Sequence, residues 1–226
     1  MFFPERIQSI RPGDRVLDVG PGADPHPRAD VLLERNFSEA EAEAQRGHTP
    51  LGSLKQKTVF FDGGRFPFAD GEFDYVICSH VLEHVEDPCE FIAELVRVAK
   101  SGYLEYPTAY YEYLHNFRVH RNILHHSGNE ILWMRKDKTP LDVFLPVQQF
   151  FLEALRSGYD EMIVALRPNF AEGFEWVTPP SVREVSDIGL VCPEPVFPPN
   201  PFKAPPVPSS ELAGELLSRI KRKLFR

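Results

Sequence analysis

Apolar residues in this chain gather into short runs separated by polar, glycine- and proline-bearing stretches, and the first half repeats that alternation several times. DRVLDVG (14–20) is a Val/Leu-rich run bounded by Pro12-Gly13 and Gly20, as expected of a buried parallel strand. ADVLLE (29–34), KTVFFD (57–62), EFDYVICSH (72–80) and GYLEYP (102–107) are further strand candidates. EDPCEFIAELVRVAK (86–100) carries the clearest helical period, with Asp87 as N-cap, Pro88 at the first helical position and Glu90 as reciprocal cap. Phe91, Leu95 and Val98, flanked by Ile92, Val96 and Ala99, give that helix an apolar face. A second helix is predicted over 38–47, from the Ser38 cap to the Gly47 stop, with only alanine to bury. Strands alternating with helices predict an α/β fold built on a mostly parallel sheet.

Beyond Pro107 the pattern is less regular. HRNILHHSGNEILWMRKD (120–137) predicts a hairpin turning at Ser127-Gly128-Asn129, and PVQQFFLEALRSG (146–158) a helix stopping at Gly158. GFEWV (173–177) reads as the last strand. Of the 22 prolines, ten fall between Pro179 and Pro208, so 179–208 reads as an extended, largely uncored linker. SSELAGELLSRIKRKLFR (209–226) forms an i, i+4 row of Leu212, Leu216, Ile220 and Leu224 opposite Arg219, Arg222 and Arg226. Such a basic amphipathic helix suits an anionic membrane surface or a partner groove, or simply frays at the terminus. The expected division is therefore a domain over 1–178 with a substrate-side insertion at 110–145, then the linker and the terminal helix.

Composition narrows the classes. A formal net charge of -8 argues against a broad electrostatic grip on nucleic acid. Cys78, Cys89 and Cys192 have neither metal-site spacing nor a disulfide framework, and MFFPERIQSI lacks a leader's apolar run, so a cytoplasmic location is expected.

Candidate chemistry collects at the carboxyl ends of the predicted strands, where open α/β sheets bind ligands. Asp18 and Gly20-Pro21-Gly22 end the first strand, and Glu34 ends the second, where an acid can accept both hydrogen bonds of a ribose diol. Asp62, before Gly63, ends the third and is placed to accept from an adenine amino group; Ser79-His80 end the fourth. Each has a plainer reading as a turn former or solvated charge, and it is their recurrence at successive strand ends that points to a nucleoside.

VLDVGPG, FPFADGEFDYVICSHVLEHVEDP and GYLEYP together closely resemble the class I S-adenosylmethionine-dependent methyltransferases of the broad small-molecule branch, over about residues 12–108. The resemblance implies a Rossmann-like sheet and S-adenosylmethionine as cofactor. It places Asp18, Gly20, Pro21 and Gly22 at the methionine end, Glu34 on the ribose, Asp62 and Gly63 at the adenine, and Ser79 and His80 near the reactive centre. Glu83 and His84 then face the acceptor, with His84 as general base or in an orienting role. Tyr106, Tyr110 and Tyr111, just past the fifth strand, are candidates to contact a small-molecule or glycan acceptor or simply to fill core. Methyl transfer to an oxygen or nitrogen nucleophile is the implied reaction, and a binding module without turnover is the alternative.

One departure is plain. Only Ala23 to Arg28 separate Gly22 from ADVLLE, and Pro25 and Pro27 lie among them, so the first crossover helix is expected to be replaced by a proline-stiffened loop. A cofactor without phosphate does not need that helix N-terminus, whereas a nicotinamide dinucleotide does, and GPGADP fails its G-x-G-x-x-G pattern. His115, His120, His125 and His126 form no His-x-x-x-His pair and have no cysteine partner, so no metal site is expected.

Overall fold

The structure, a computed structural model, describes residues 1–38, 56–156 and 160–196. The helix predicted over 38–47 past its Ser38 cap, the Gly158 stop, the linker beyond 196 and the terminal helix over 209–226 lie outside the described residues. Among the described residues no helix is long and apolar enough to cross a membrane.

Strands β1 (Val16–Val19), β2 (Val31–Arg35), β3 (Lys57–Phe61), β4 (Tyr75–Ser79), β5 (Gly102–Pro107) and β8 (Ala171–Trp176) form one sheet in the order β3-β2-β1-β4-β5-β8. All its pairings are parallel except β5 with β8, which is antiparallel. The order runs outward from β1 in one direction through β2 and β3, and in the other through β4 and β5. The switch point between β1 and β4 therefore opens a crevice at the strands' carboxyl ends. Val16, Leu17, Leu32, Leu33, Val76 and Ile77 are buried, as continuous apolar strands covered on both faces must be.

Between β1 and β2 the chain makes no helix. Residues 20–30 cross over as a loop, near the shortest connection that parallel strands tolerate. Two carboxylates hold it: Asp18 accepts from the His26 amide at 2.8 Å, and Glu34 from the Gly22 amide at 2.7 Å. The abbreviated crossover expected from the sequence is thus present, tied down by side chains rather than by helical hydrogen bonds.

Helix α1 (Pro88–Val98) starts where expected, with the Asp87 carboxylate accepting from the amides of Cys89 and Glu90. It buries Ile92, Leu95 and Val98 against the sheet. Its other side grips the 66–70 segment. The Phe66 amide donates to Glu94, while Arg97 donates to the carbonyls of Phe66 and Phe68 and to Asp70.

After β5 come helix α2 (Ala109–His115) and the hairpin of β6 (Asn122–Ser127) and β7 (Glu130–Arg135). The hairpin turns at Gly128-Asn129, where Gly128 takes φ +66°. Helices α3 (Leu145–Arg156), α4 (Asp160–Ala165) and α5 (Arg167–Phe170) lead into β8. Leu124, Ile131 and Trp133 of the hairpin join the same apolar cluster as Leu17, Val76, Leu104 and Tyr106.

The reading of 179–208 as uncored is corrected over its first part. Ser181–Glu184 forms β9, parallel to β7, and completes a second sheet in the order β6-β7-β9. Val185 and Val191 are buried against the hairpin. SVREV and the IGLV that follows contain no proline, so nothing in this stretch prevents a ladder, and β7 would otherwise leave an apolar edge open.

Asn122, buried at the start of β6, donates from Nδ2 to the carbonyls of Leu82 (3.0 Å) and Val85 (2.8 Å). The Glu83 carbonyl accepts from the amides of Arg121 and Asn122, so the hairpin is fastened to the segment after β4 at several points. Replacing Asn122 by alanine strands the two carbonyls, and we expect a loss of about 1–3 kcal/mol in urea unfolding. Unfolding midpoints equal to wild type would show that this side chain does not carry the attachment.

Candidate active site

The crevice at the switch point is a cavity of about 830 Å³, within the range of small-molecule sites. Gly20, Gly22 and Glu34 line one side, Asp62 and Gly63 the next, and His80, Val81 and His84 the end nearest the hairpin. Phe91, Glu94 and Arg97 of α1 also line it. Gly20 takes φ +65°, and a Cβ there would lie 2.7 Å from a methyl carbon of Val81, so backbone and side chain meet with no room to spare. Gly22, at φ +60°, has open space where a Cβ would stand. The two glycines thus leave the chain close to whatever occupies the crevice.

The predicted residues divide between cavity and scaffold. Gly20, Gly22, Glu34, Asp62, Gly63, His80 and His84 line the cavity; Asp18, Pro21, Ser79, Glu83 and the three tyrosines do not. Asp18 sits beneath the loop, holding the His26 amide. Burial, offset in part by that hydrogen bond and reinforced by Glu34, pushes its pKa up to about 7. Asp62 also accepts from Asn36 Nδ2 at 2.9 Å. Tyr106 is wholly buried in the core, and Tyr110 donates its hydroxyl to the Pro193 carbonyl. Tyr111 packs among Phe2, His115, Phe117 and Phe170. Of the three, Tyr111 stands nearest the crevice, through Phe2, whose ring lies 5.4 Å from that of His80.

His80 organises the mouth of the cavity. It holds φ +58°, a conformation that side chains seldom adopt, while its amide donates to the Glu105 carbonyl at 2.8 Å. Its ring lies between two wholly buried carboxylates, with Nδ1 3.3 Å from Glu83 and Nε2 3.1 Å from Glu105. Neither contact has the direction of a good hydrogen bond, so the attraction is that of an ion pair. Burial disfavours charge on the ring, but Glu105 and Glu83 overcome it and raise the pKa to about 9. Burial alone would raise both carboxyls, and the His80 imidazolium reverses this, bringing each to about 2.

Glu105 has further work. It accepts from the amides of Phe2 and Phe3, from Ser79 Oγ and from the Tyr103 hydroxyl, drawing the chain's first residues over the end of the sheet. Sequence reasoning missed it, although an acid in the middle of GYLEYP, an otherwise apolar buried run, was the signal.

His84 follows the His80 turn. Its Nδ1 lies 3.1 Å from the Val119 carbonyl, and its Nε2 3.9 Å from Glu83. Burial lowers its pKa, so the ring is neutral and Nδ1 carries the proton toward Val119. The histidines at 115–126 do not gather with one another, but His120 meets this pair. Glu83, His84 and His120 each place one possible ligand atom within 4.8 Å of the others. No sequence spacing announces that grouping, because the hairpin attachment brings His120 there.

The ionic triad has a defined pH window. The stabilisation from Glu83 and Glu105 is complete above their ordinary 4.5 and is lost as pH falls toward about 2. That from His80 is complete below its ordinary 6.5 and is lost as pH rises through about 9. In Glu105→Gln, we expect the His80 midpoint, followed by ring proton chemical shift, to fall from about 9 toward 6.5. An unchanged midpoint would dissolve the pairing.

Comparison with known proteins bears on the first half of the chain. Residues 17–104 match the family model described as a methyltransferase domain. The chain is 35% identical over 96 residues to a demethylmenaquinone methyltransferase of Renibacterium salmoninarum, covering 40% of this chain and 39% of that one. It is 38% identical over 69 residues to an ajmaline N-methyltransferase of Rauvolfia serpentina, covering 30% of this chain and 24% of that one. The chain thus spans well under half the length of these relatives. An S-adenosylmethionine-dependent methyltransferase structure from Mesorhizobium loti is 16% identical, covers 65% of this chain and 74% of that one, and has a TM-score of 0.34. The glycine turn, the strand-end acids and the EFDYVICSHVLEHVEDP segment all lie inside the matched stretch, so the likeness to methyltransferase domains rests on the residues that build the crevice.

Proposed function

We propose that the chain transfers a methyl group from S-adenosylmethionine to an oxygen or nitrogen nucleophile on a small molecule. The single observation that carries this reading is the crevice itself: a glycine turn that leaves the backbone bare, with Glu34 and Asp62 at the next two strand ends, on one 830 Å³ cavity. The residues fit the cofactor. Gly20 and Gly22 provide a close approach for the methionine portion, Glu34 is the acceptor for a ribose diol, and Asp62 with Gly63 flanks the adenine position. The absence of a helix after β1 is no obstacle, because this cofactor carries no phosphate.

Held by Gly20, Gly22, Glu34 and Asp62, S-adenosylmethionine would supply an electrophilic sulfonium methyl group for in-line displacement, with S-adenosylhomocysteine as the leaving thioether. The chain's contribution is placement and exclusion of water. His80, fixed by two carboxylates, sets the wall of the cavity at the acceptor side. His84, neutral and with its proton committed toward Val119, presents Nε2 as the group able to take a proton from an acceptor hydroxyl or amine. Tyr111 and Phe2 form an aromatic flank beside His80. The relatives, a demethylmenaquinone methyltransferase and an ajmaline N-methyltransferase, support a small-molecule acceptor over a glycan.

Calorimetric titration with S-adenosylmethionine tests the donor site. Wild type should bind, and Glu34→Ala should lose about 1–3 kcal/mol through the unsatisfied diol and the released Gly22 amide. Heat from neither protein would overturn the cofactor assignment; equal affinities would overturn only the role of Glu34. For turnover, release of S-adenosylhomocysteine is measured with quinol, phenol and amine acceptors. We expect His84→Gln to lower kcat by about 10²–10⁴-fold where proton removal limits the rate. A His84→Gln variant as fast as wild type on every accepted substrate would remove His84 from proton transfer.

A further inference from the structure

We propose that Glu83, His84 and His120 bind one divalent first-row transition cation beside the cavity, behind the wall that His84 forms. Three observations support a built site. The ligand atoms lie within 4.8 Å of one another, with Glu83 to His84 Nε2 at 3.9 Å. Nitrogen and oxygen ligands of one tetrahedral ion stand about 3.4 Å apart, so modest rotamer shifts close the set.

Second, both imidazoles are already oriented as ligands. His84 directs Nδ1 to the Val119 carbonyl, and His120 directs Nδ1 to Glu112, whose other oxygen accepts from Lys136 Nζ at 2.7 Å. Metal-bound histidines characteristically give their second nitrogen to a carbonyl or carboxylate in this way, which fixes the tautomer and leaves Nε2 as a lone pair. The two rings stand edge to face, with centroids 4.6 Å apart.

Third, Glu83 is wholly buried and neither of its carboxylate oxygens has a hydrogen-bond partner. A carboxylate in that position is costly unless a cation faces it. His80 supplies one, but Glu105 shares it. An unprotonated Nε2 lone pair aimed at a carboxylate is repulsive, and an ion between the two converts the repulsion into a pair of bonds. Two histidines and one carboxylate are a donor set for zinc and for ferrous iron, and three protein ligands leave coordination positions open. Of the three, His84 lines the cavity wall. With the ion bound, His84 Nε2 is a ligand and no longer a base, so the proton-accepting role proposed for it belongs to the metal-free protein; the cation site itself does not rest on the methyl-transfer reading.

Chelator-treated full-length protein is titrated with Co²⁺ and followed by visible absorption, then challenged with Zn²⁺. We expect one Co²⁺ per chain, a ligand-field band that Zn²⁺ abolishes, and contact-shifted ring protons from two histidines in the wild-type protein. His120→Asn should abolish the band. Glu112→Gln, which leaves all three ligands in place, should weaken binding about 10–100-fold. Absence of stoichiometric binding by wild type at about 100 μM free Co²⁺, some tenfold or more weaker than a built site warrants, overturns the proposal. So does a thiolate charge-transfer band in place of histidine shifts, or an unaltered band in folded His120→Asn. The wild-type ring shifts keep the test decisive if a variant fails to fold. Titration with S-adenosylmethionine alone separates failure of the metal site from failure of the donor site.

Discussion

A positive charge on His80, between the buried carboxylates of Glu83 and Glu105, is the constraint on which the mouth of the sheet depends. Remove that charge and two acids remain in a dry interior, each facing a desolvation cost of several kcal/mol. Remove either acid and the ring loses the reason to hold a left-handed backbone conformation. The triad also joins parts distant in sequence. Glu105 pins Phe2 and Phe3 through their amides, and the Glu83 carbonyl accepts the amides that begin β6. One electrostatic cluster therefore joins the amino terminus to the end of β4, the middle of β5 and the hairpin, beside the apolar cluster that the hairpin shares with β4 and β5.

The opposite wall solves a different problem. A crossover between parallel strands usually packs a helix on the sheet, and that helix satisfies its own backbone. Residues 20–30 have no such ladder, and the prolines at 25 and 27 have no amide to satisfy. Asp18 and Glu34 each capture one of the remaining amides. For Glu34 this gives two tasks to one side chain, since the same carboxylate lines the cavity and steadies the glycine turn beside it. For Asp18 the cost is visible in its pKa near 7: a buried acid with one amide partner and a negative neighbour resists ionisation.

The strand-end crevice was legible in the sequence because it is local. Strand ends are marked by where apolar runs stop, and a parallel α/β order puts those ends on one edge; β1 to β5, the Asp87 cap and the loop replacing the first helix all followed from that. Asp18 was legible as a site residue but not in its role. Its distance from the cavity depends on which way a strand-end side chain turns, which periodicity does not encode. Tyr106 takes the core position that was one of the two readings open to it, and Tyr110 turns to the chain near Pro193; periodicity does not encode either direction. In 179–208, proline content hid the proline-free SVREV, whose pairing is set by the open edge of β7 more than by its own propensity.

The surroundings of His80 and His84 were obscure for a physical reason as well. It is assembled from Phe2, Glu83, Glu105, Tyr111 and His120, brought together by contacts spanning from tens to about a hundred residues. Such contacts depend on a tertiary arrangement that no spacing rule captures. The same division explains the reach of the family match, which covers residues 17–104 and so contains the strand ends but neither Glu105, Phe2 nor the hairpin. A chain built this way can keep its strand-end crevice while the hairpin, α2 and the amino terminus change what is admitted beside His80 and His84. The matched stretch therefore accounts for the strand-end part of the crevice, while its rim beside His80 is set by residues outside that stretch, held in place by the charge on His80.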